Sequence, residues 1–161
     1  MKTNVGIEIE QTIERVFDWA NNRTPEWSQT VVGERDIERT ADVVGSRFVC
    51  VTAPPAKNFD PEKDAMEFQG KVLRYDEPSA CDVELLGQYF DIMVQYRFDA
   101  INDNKTRVAQ TSVVKPKGWM MKTMFFLSGP FMRRMNCSAA MEEMQNLKRF
   151  CESSDRDQES P

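Results

Sequence analysis

The side chains best suited to chemistry are marked by an absence: among 161 residues there is no histidine. That removes Ser-His-Asp and Cys-His nucleophile pairs, imidazole proton shuttles and metal sites built on His. The four cysteines, Cys50, Cys81, Cys137 and Cys151, stand 31, 56 and 14 positions apart and form no CxxC pair. Neither a zinc knuckle nor a thioredoxin-like motif is supported, and the cysteines read as free, mostly buried thiols. No metal site and no cofactor is expected. Acid–base chemistry would therefore fall to Asp, Glu, Tyr or Lys with a shifted pKa. Glu67, Glu84, Asp91 and Arg97 lie in strand-like runs. Glu84 alternates with Val83 and Leu85, and Asp91 with Phe90 and Ile92, as solvent-face residues do, and no carboxylate pair stands out by spacing.

Binding is better represented. Tyr75, Tyr89 and Tyr96, with the alternating Phe90, Ile92, Val94 and Phe98, can line a cavity or pack a core. Phe126, Cys137 and Met141 are the matching contributions from the C-terminal segment. On a helical wheel Arg133 falls within about 40° of the stripe formed by Cys137, Ala140 and Met144. An arginine so placed would bind a carboxylate or enolate bidentately, whereas a kink at Pro130 would rotate it into solvent. From Lys115 to Arg134 there are five basic residues, no acid, and many Met and Phe side chains with Trp119. Such a segment either touches anionic lipid or packs on a sheet with its basic residues in water. Seven of the ten methionines lie between Met120 and Met144, which suits a deformable pocket lid.

These residues need elements to position them. The length favours one domain over residues 1–152, with a polar, disordered tail at 153–161. A net charge of −5, with 40% hydrophobic and 29% charged residues, describes an ordinary globular chain and argues against general nucleic-acid binding. The N-terminus does not read as a signal peptide, and no run is long and apolar enough to span a bilayer, so a cytoplasmic location is the default expectation.

Val5, Ile7 and Ile9 alternate with polar neighbours as a half-buried strand does. Thr12 is then expected to cap a helix through Ile13, Val16, Phe17 and Ala20, and Pro25 to start a second short one. Six further strands are predicted at Val31–Arg39, Ser46–Thr52, Met66–Tyr75, Cys81–Leu86, Phe90–Ile101 and Thr106–Lys115. Their short turn-like connections imply antiparallel hairpins. The exception is the proline-rich segment Ala53–Asp64, read as a surface loop. After Pro116-Lys117-Gly118 the chain reads as helix, interrupted near Phe126–Gly129. The apolar stripe Cys137, Ala140, Met141, Met144, Leu147 and Cys151 follows it.

The fold class is thus α+β: a curved seven-stranded antiparallel sheet gripping a long C-terminal helix, with two short helices after the first strand. A sheet curved about one helix leaves a concavity, and concavities of this type bind small molecules. The pattern resembles the START-like, or polyketide cyclase/dehydrase, superfamily with its helix-grip fold, over about residues 3–152. The resemblance is carried by Ile9-Glu10-Gln11-Thr12-Ile13-Glu14-Arg15-Val16-Phe17-Asp18-Trp19, by Val44-Gly45-Ser46-Arg47-Phe48, by Phe90–Phe98 with Thr106-Arg107-Val108, and by Pro130 with Asn146-Leu147-Lys148-Arg149-Phe150.

The resemblance implies binding or transport of a small hydrophobic or amphipathic ligand between sheet and C-terminal helix. Two alternatives stay open: a cyclase- or dehydratase-like enzyme without His, and a membrane-associated lipid chaperone similar to coenzyme-Q-binding relatives. It also implies gate loops at the pocket mouth, here Pro54, Pro55 and Phe59 in one loop and Gly87 in the other. The partners expected are a small hydrophobic or amphipathic molecule and a transient membrane contact, with no nucleic acid and the oligomeric state left open.

Overall fold

The computed structural model describes residues 1–53 and 65–153. Strand β1 (Lys2–Ile9) leads into helices α1 (Ile13–Asn22) and α2 (Thr24–Trp27). Six strands follow: β2 (Val31–Glu38), β3 (Arg47–Thr52), β4 (Met66–Asp76), β5 (Ala80–Leu86), β6 (Phe90–Asn102) and β7 (Lys105–Pro116). Helices α3 (Gly118–Leu127) and α4 (Gly129–Ser153) close the described chain. The fold class is α+β as expected; the six later strands recur with ends displaced by one residue at most, and the first, read over Asn4–Gln11, lies two residues earlier at each end. The lid residues Pro54, Pro55 and Phe59 and the tail beyond Ser153 lie outside the described residues.

The sheet is antiparallel in the order β1-β7-β6-β5-β4-β3-β2, so β2 to β7 run as a meander and β1 closes on β7. That leaves β1 and β2 as edges. One row of side chains crosses most of the sheet: Val5 opposes Gln110, Gln110 opposes Tyr96, Tyr96 opposes Cys81, and Cys81 opposes Tyr75. Opposed residues share a face, so this row lies on the inner side, where alternation had put Tyr75 and Tyr96.

The core fills one half of that inner face. Ile9, Val16, Phe17, Val108, Met144, Leu147 and Cys151 are fully buried. The Phe17 ring meets Tyr75 and Phe98 edge-on at 5.1 and 5.2 Å, a favourable quadrupole geometry. Two buried polar groups of the core are paired: Trp27 Nε1 donates to the Trp19 carbonyl at 3.1 Å, and Thr106 Oγ1 to the Gln11 carbonyl at 2.8 Å. Helix α4 packs against β1, where Lys148 Nζ donates to the Glu8 carbonyl at 2.8 Å. Its Glu143 carboxylate accepts from the Gln29 and Thr30 amides and the Thr30 hydroxyl, tying the helix to the entrance of β2.

Two local expectations need correction. The Thr12 side chain makes no capping bond; its N–H donates to the Gln11 side-chain amide oxygen at 2.8 Å. Cys137 is exposed rather than buried, because the stripe on α4 reaches the core only from Ala140 onward. The expected interruption near Phe126–Gly129 is present: the C-terminal region is two helices, broken at Ser128, whose hydroxyl donates to the Met124 carbonyl at 2.6 Å.

Candidate functional site

Because α4 lies over the β1 side, the other half of the inner face is not covered by it. A cavity of about 380 Å³ occupies that half. Its roof is the C-terminal end of α1 and the start of α2 (Ala20, Asn21, Asn22, Thr24), and its floor is β2 to β6. No described residue of α4 lines it, so the expected site between sheet and C-terminal helix is displaced towards α1. The volume is within the range of small-molecule sites.

The floor is apolar at its centre, where Phe48, Val72, Val83, Leu85 and Val94 meet. Phe48 lies over Gly70, where any Cβ would run into its ring, so the glycine sets how deep the floor is. Polar groups enter from β2. Glu34 opposes Cys50 and Asp36 opposes Phe48, and both carboxylates line the cavity. Register shifts at Val31/Gly33 and Asp36/Glu38 turn the strand over, so that Val32 and Ile37 face solvent while the acids face inward. Inward charges also keep an edge strand from pairing with other chains.

The electrostatics follow from the walls. Burial, aided by the charge of Asp36, raises the Glu34 carboxyl above the usual carboxylate range. Burial pushes the Cys50 and Cys81 thiols up to about 12, with Glu34 adding to the first and Asp82 to the second. Tyr96 is raised by burial and then by the charges of Glu143, Cys81, Glu34 and Cys50. Tyr75 is raised by burial and by Glu77, against a hydrogen bond from Asn22. At neutral pH the cavity therefore presents two phenols and two thiols as neutral donors. Glu34 and the Tyr96 hydroxyl have no hydrogen-bond or ion-pair partner among the described residues. Beside Tyr96 in register, Gln110 Oε1 is buried and likewise unpartnered. The arrangement can hold an apolar body, accept a proton or hydrogen bond at Glu34 and donate one from Tyr96.

Of the residues singled out in the sequence, the cavity brings together Tyr75, Val94 and Tyr96. Phe98 is in the core against Phe17 and Tyr96. Tyr89 and Phe90 line a second hollow with Met66 and Phe68, between the starts of β4 and β6. Ile92 opposes Leu85 and is half-buried, lining neither hollow. Gly87, in the turn before β6, is packed against the Phe68 ring and the Phe90 carbonyl. Met141 packs against the core cluster, while Phe126, Arg133 and Cys137 are exposed. Arg133 is exposed, as are its neighbours Arg134 and Met135. Glu34 and Asp36 were missed. Their i, i+2 spacing on a predicted strand was the available signal, since it puts both carboxylates on one face. Among the described residues no cluster of His, Cys, Asp or Glu could hold a metal.

No protein-family sequence model matches the chain, and no curated protein matches it in sequence. Solved structures do match in shape. A START superfamily protein from Mycobacterium smegmatis superposes with TM-score 0.76 at 13% identity, covering 94% of this chain and 97% of that one. A ginseng major latex-like protein from Panax ginseng gives TM-score 0.65 at 11% identity, over 94% and 97%. The di-domain ARO/CYC StfQ from the steffimycin biosynthetic pathway gives TM-score 0.69 at 10% identity, over 95% of this chain and 51% of that one. The chain thus spans about half the length of that last protein. These likenesses show a START-like helix-grip fold.

Proposed function

We propose that this START-like helix-grip chain binds a small amphipathic molecule in the cavity between α1 and strands β2–β6. The apolar body of the ligand rests on Val72, Val83, Leu85 and Val94, and its polar end meets Glu34 and Tyr96. One observation carries the reading: a largely apolar cavity of about 380 Å³ lined by a carboxyl and a phenol that have no hydrogen-bond or ion-pair partner among the described residues. Tyr96 is half-buried and Glu34 is exposed on the cavity wall, and a ligand supplying complementary groups would give both a partner. The matching START superfamily protein supports the reading. The free, buried thiols suit a reducing, cytoplasmic setting. Titration with Nile red tests it. The native protein should enhance the dye's fluorescence, and Val83→Trp, which fills the floor, should abolish the enhancement while the protein stays folded by circular dichroism. Equal enhancement by both proteins overturns the reading.

The raised Glu34 carboxyl favours a second reading, in which the cavity acts on its ligand as a cyclase or dehydratase. Glu34 would take a proton beside a substrate carbonyl and return it, and Tyr96 would donate a hydrogen bond to the oxygen that gains charge. The ARO/CYC neighbour supports it. A poly-β-carbonyl substrate discriminates the two: turnover lost in Glu34→Gln with binding retained supports the enzyme, and binding without turnover in the native protein supports the carrier.

A further inference from the structure

Away from the cavity, the connection from β7 through α3 into α4 breaks the usual rule for apolar side chains. Helix α3 buries none of its residues. Trp119, Phe126, Leu127 and Phe131 are 79%, 84%, 77% and 68% exposed, and Met120, Met124 and Met135 are exposed beside them. The helix is apolar nearly all round, interrupted only by Lys122 and Thr123. Contiguous exposed apolar surface of this extent marks an interaction site.

The charge around it is one-sided. From Asn104 to Met141 there are seven basic residues and no acidic one, so all 26 acidic residues of the chain lie elsewhere. Lys105 and Arg107 are neutralised by Glu8 and Glu10 across the sheet edge. Lys117 is spent on structure: its Nζ reaches Asp91 at 2.6 Å and the Gly87 carbonyl at 2.8 Å, and its N–H donates to the Tyr89 carbonyl at 2.8 Å. Those bonds fasten the start of α3 to the β5–β6 turn, where Leu86 and Tyr89 are also exposed. Lys115, Lys122, Arg133 and Arg134 form no ion pair among the described residues.

We infer that α3 with the start of α4 is a docking surface for an anionic lipid bilayer, with α3 lying in the interface and Lys115, Lys122, Arg133 and Arg134 on lipid headgroups. Two features select this occupant. A helix apolar on nearly every side suits immersion at the acyl boundary, whereas a protein groove takes one face. Self-pairing of the patch in a two-fold dimer would set Lys122, Arg133 and Arg134 against their own images. Ten residues of helix span about 15 Å, half the hydrocarbon thickness, so α3 lies on the membrane and does not cross it. Among the described residues no helix is long and apolar enough to cross. The inference goes beyond the cavity reading and stands whether or not the cavity binds a ligand.

The test uses the full chain and its own fluorescence. Trp19 and Trp27 are 7% and 6% exposed, so the solvent-sensitive emission comes from Trp119. Vesicles of phosphatidylcholine with about a third phosphatidylglycerol should shift that emission to the blue and carry the protein on flotation, and pure phosphatidylcholine should do so far less. Neutralising Lys122, Arg133 and Arg134 to Gln should weaken partitioning about fivefold per residue, hence about a hundredfold together. Raising the salt to about 1 M should weaken it likewise. Phe126→Ser with Leu127→Ser should reduce flotation without changing the circular dichroism, since neither side chain supports the core. Failure to float with the anionic vesicles at low salt overturns the inference. So does flotation insensitive to both sets of changes, or a dimer in which Trp119 emission is already blue without lipid. Nile red binding is scored separately, so its loss would count against the cavity alone.

Discussion

A carboxyl group loses free energy when protein displaces part of its water without supplying a cation, and Glu34, exposed but partly enclosed beside Asp36, has no ion-pair partner among the described residues. The sign of its effect on stability follows. Its folded pKa lies above the ordinary 4.5, so the ionised form is disfavoured in the fold. The penalty is absent at acid pH, where both states are protonated, grows as pH rises from the ordinary value towards the raised one, and is complete above it. Glu34→Gln should therefore stabilise the protein at pH 7 and confer nothing near pH 3, as thermal melts at the two pH values would show. Solvent still reaches Glu34, so the gain is under about 1 kcal/mol, or about 2–4 °C at most. The thiols give a second check at this scale. Cys50 and Cys81 are buried and pushed up to about 12, Cys151 is buried, and Cys137 is exposed. Iodoacetamide at about pH 8 should alkylate Cys137 fast and the other three only after unfolding, read by intact mass.

At the scale of elements, the two halves of the C-terminal region should respond oppositely to truncation. Leu147 is fully buried among Ile9, Val16 and Phe17, so Leu147→Ala should cost about 2–5 kcal/mol in urea unfolding. Phe126→Ala, on exposed α3, should change stability by no more than about 0.5 kcal/mol, despite removing a larger side chain. Much of this scale was legible in the sequence. Period-two alternation located the seven strands, and the spacing of Met144, Leu147 and Cys151 marked the half of α4 that packs. What alternation misread was β2. Two register shifts change which residues of this edge strand face the cavity, and nothing local signals a bulge that depends on the facing strand β3. The helical wheel also carried Cys137 and Arg133 onto the buried stripe, since a wheel gives direction around an axis but not where along it the sheet ends.

For the molecule as a whole, where the cavity lies depends on which part of the sheet α4 covers. Sequence patterning gave the elements and the concave partner, yet the crossing position comes from tertiary contacts, here the bond from Lys148 to the Glu8 carbonyl and those from Glu143 to Gln29 and Thr30. With α4 held over β1, the β2–β6 half takes α1 as its roof, and a hollow remains between them. The surface divides as well, since the stretch from Asn104 to Met141 carries no acidic residue and includes the exposed apolar side chains of α3.

Native mass spectrometry of the protein mixed with a medium-chain fatty alcohol, against the Leu85→Trp variant treated alike, tests most directly whether the hollow is a binding site. The native chain should retain one molecule of the alcohol at low activation energy, and the variant, its floor filled, should fly without it. A native chain that never carries the added mass, or a variant that carries it equally well, would contradict the account.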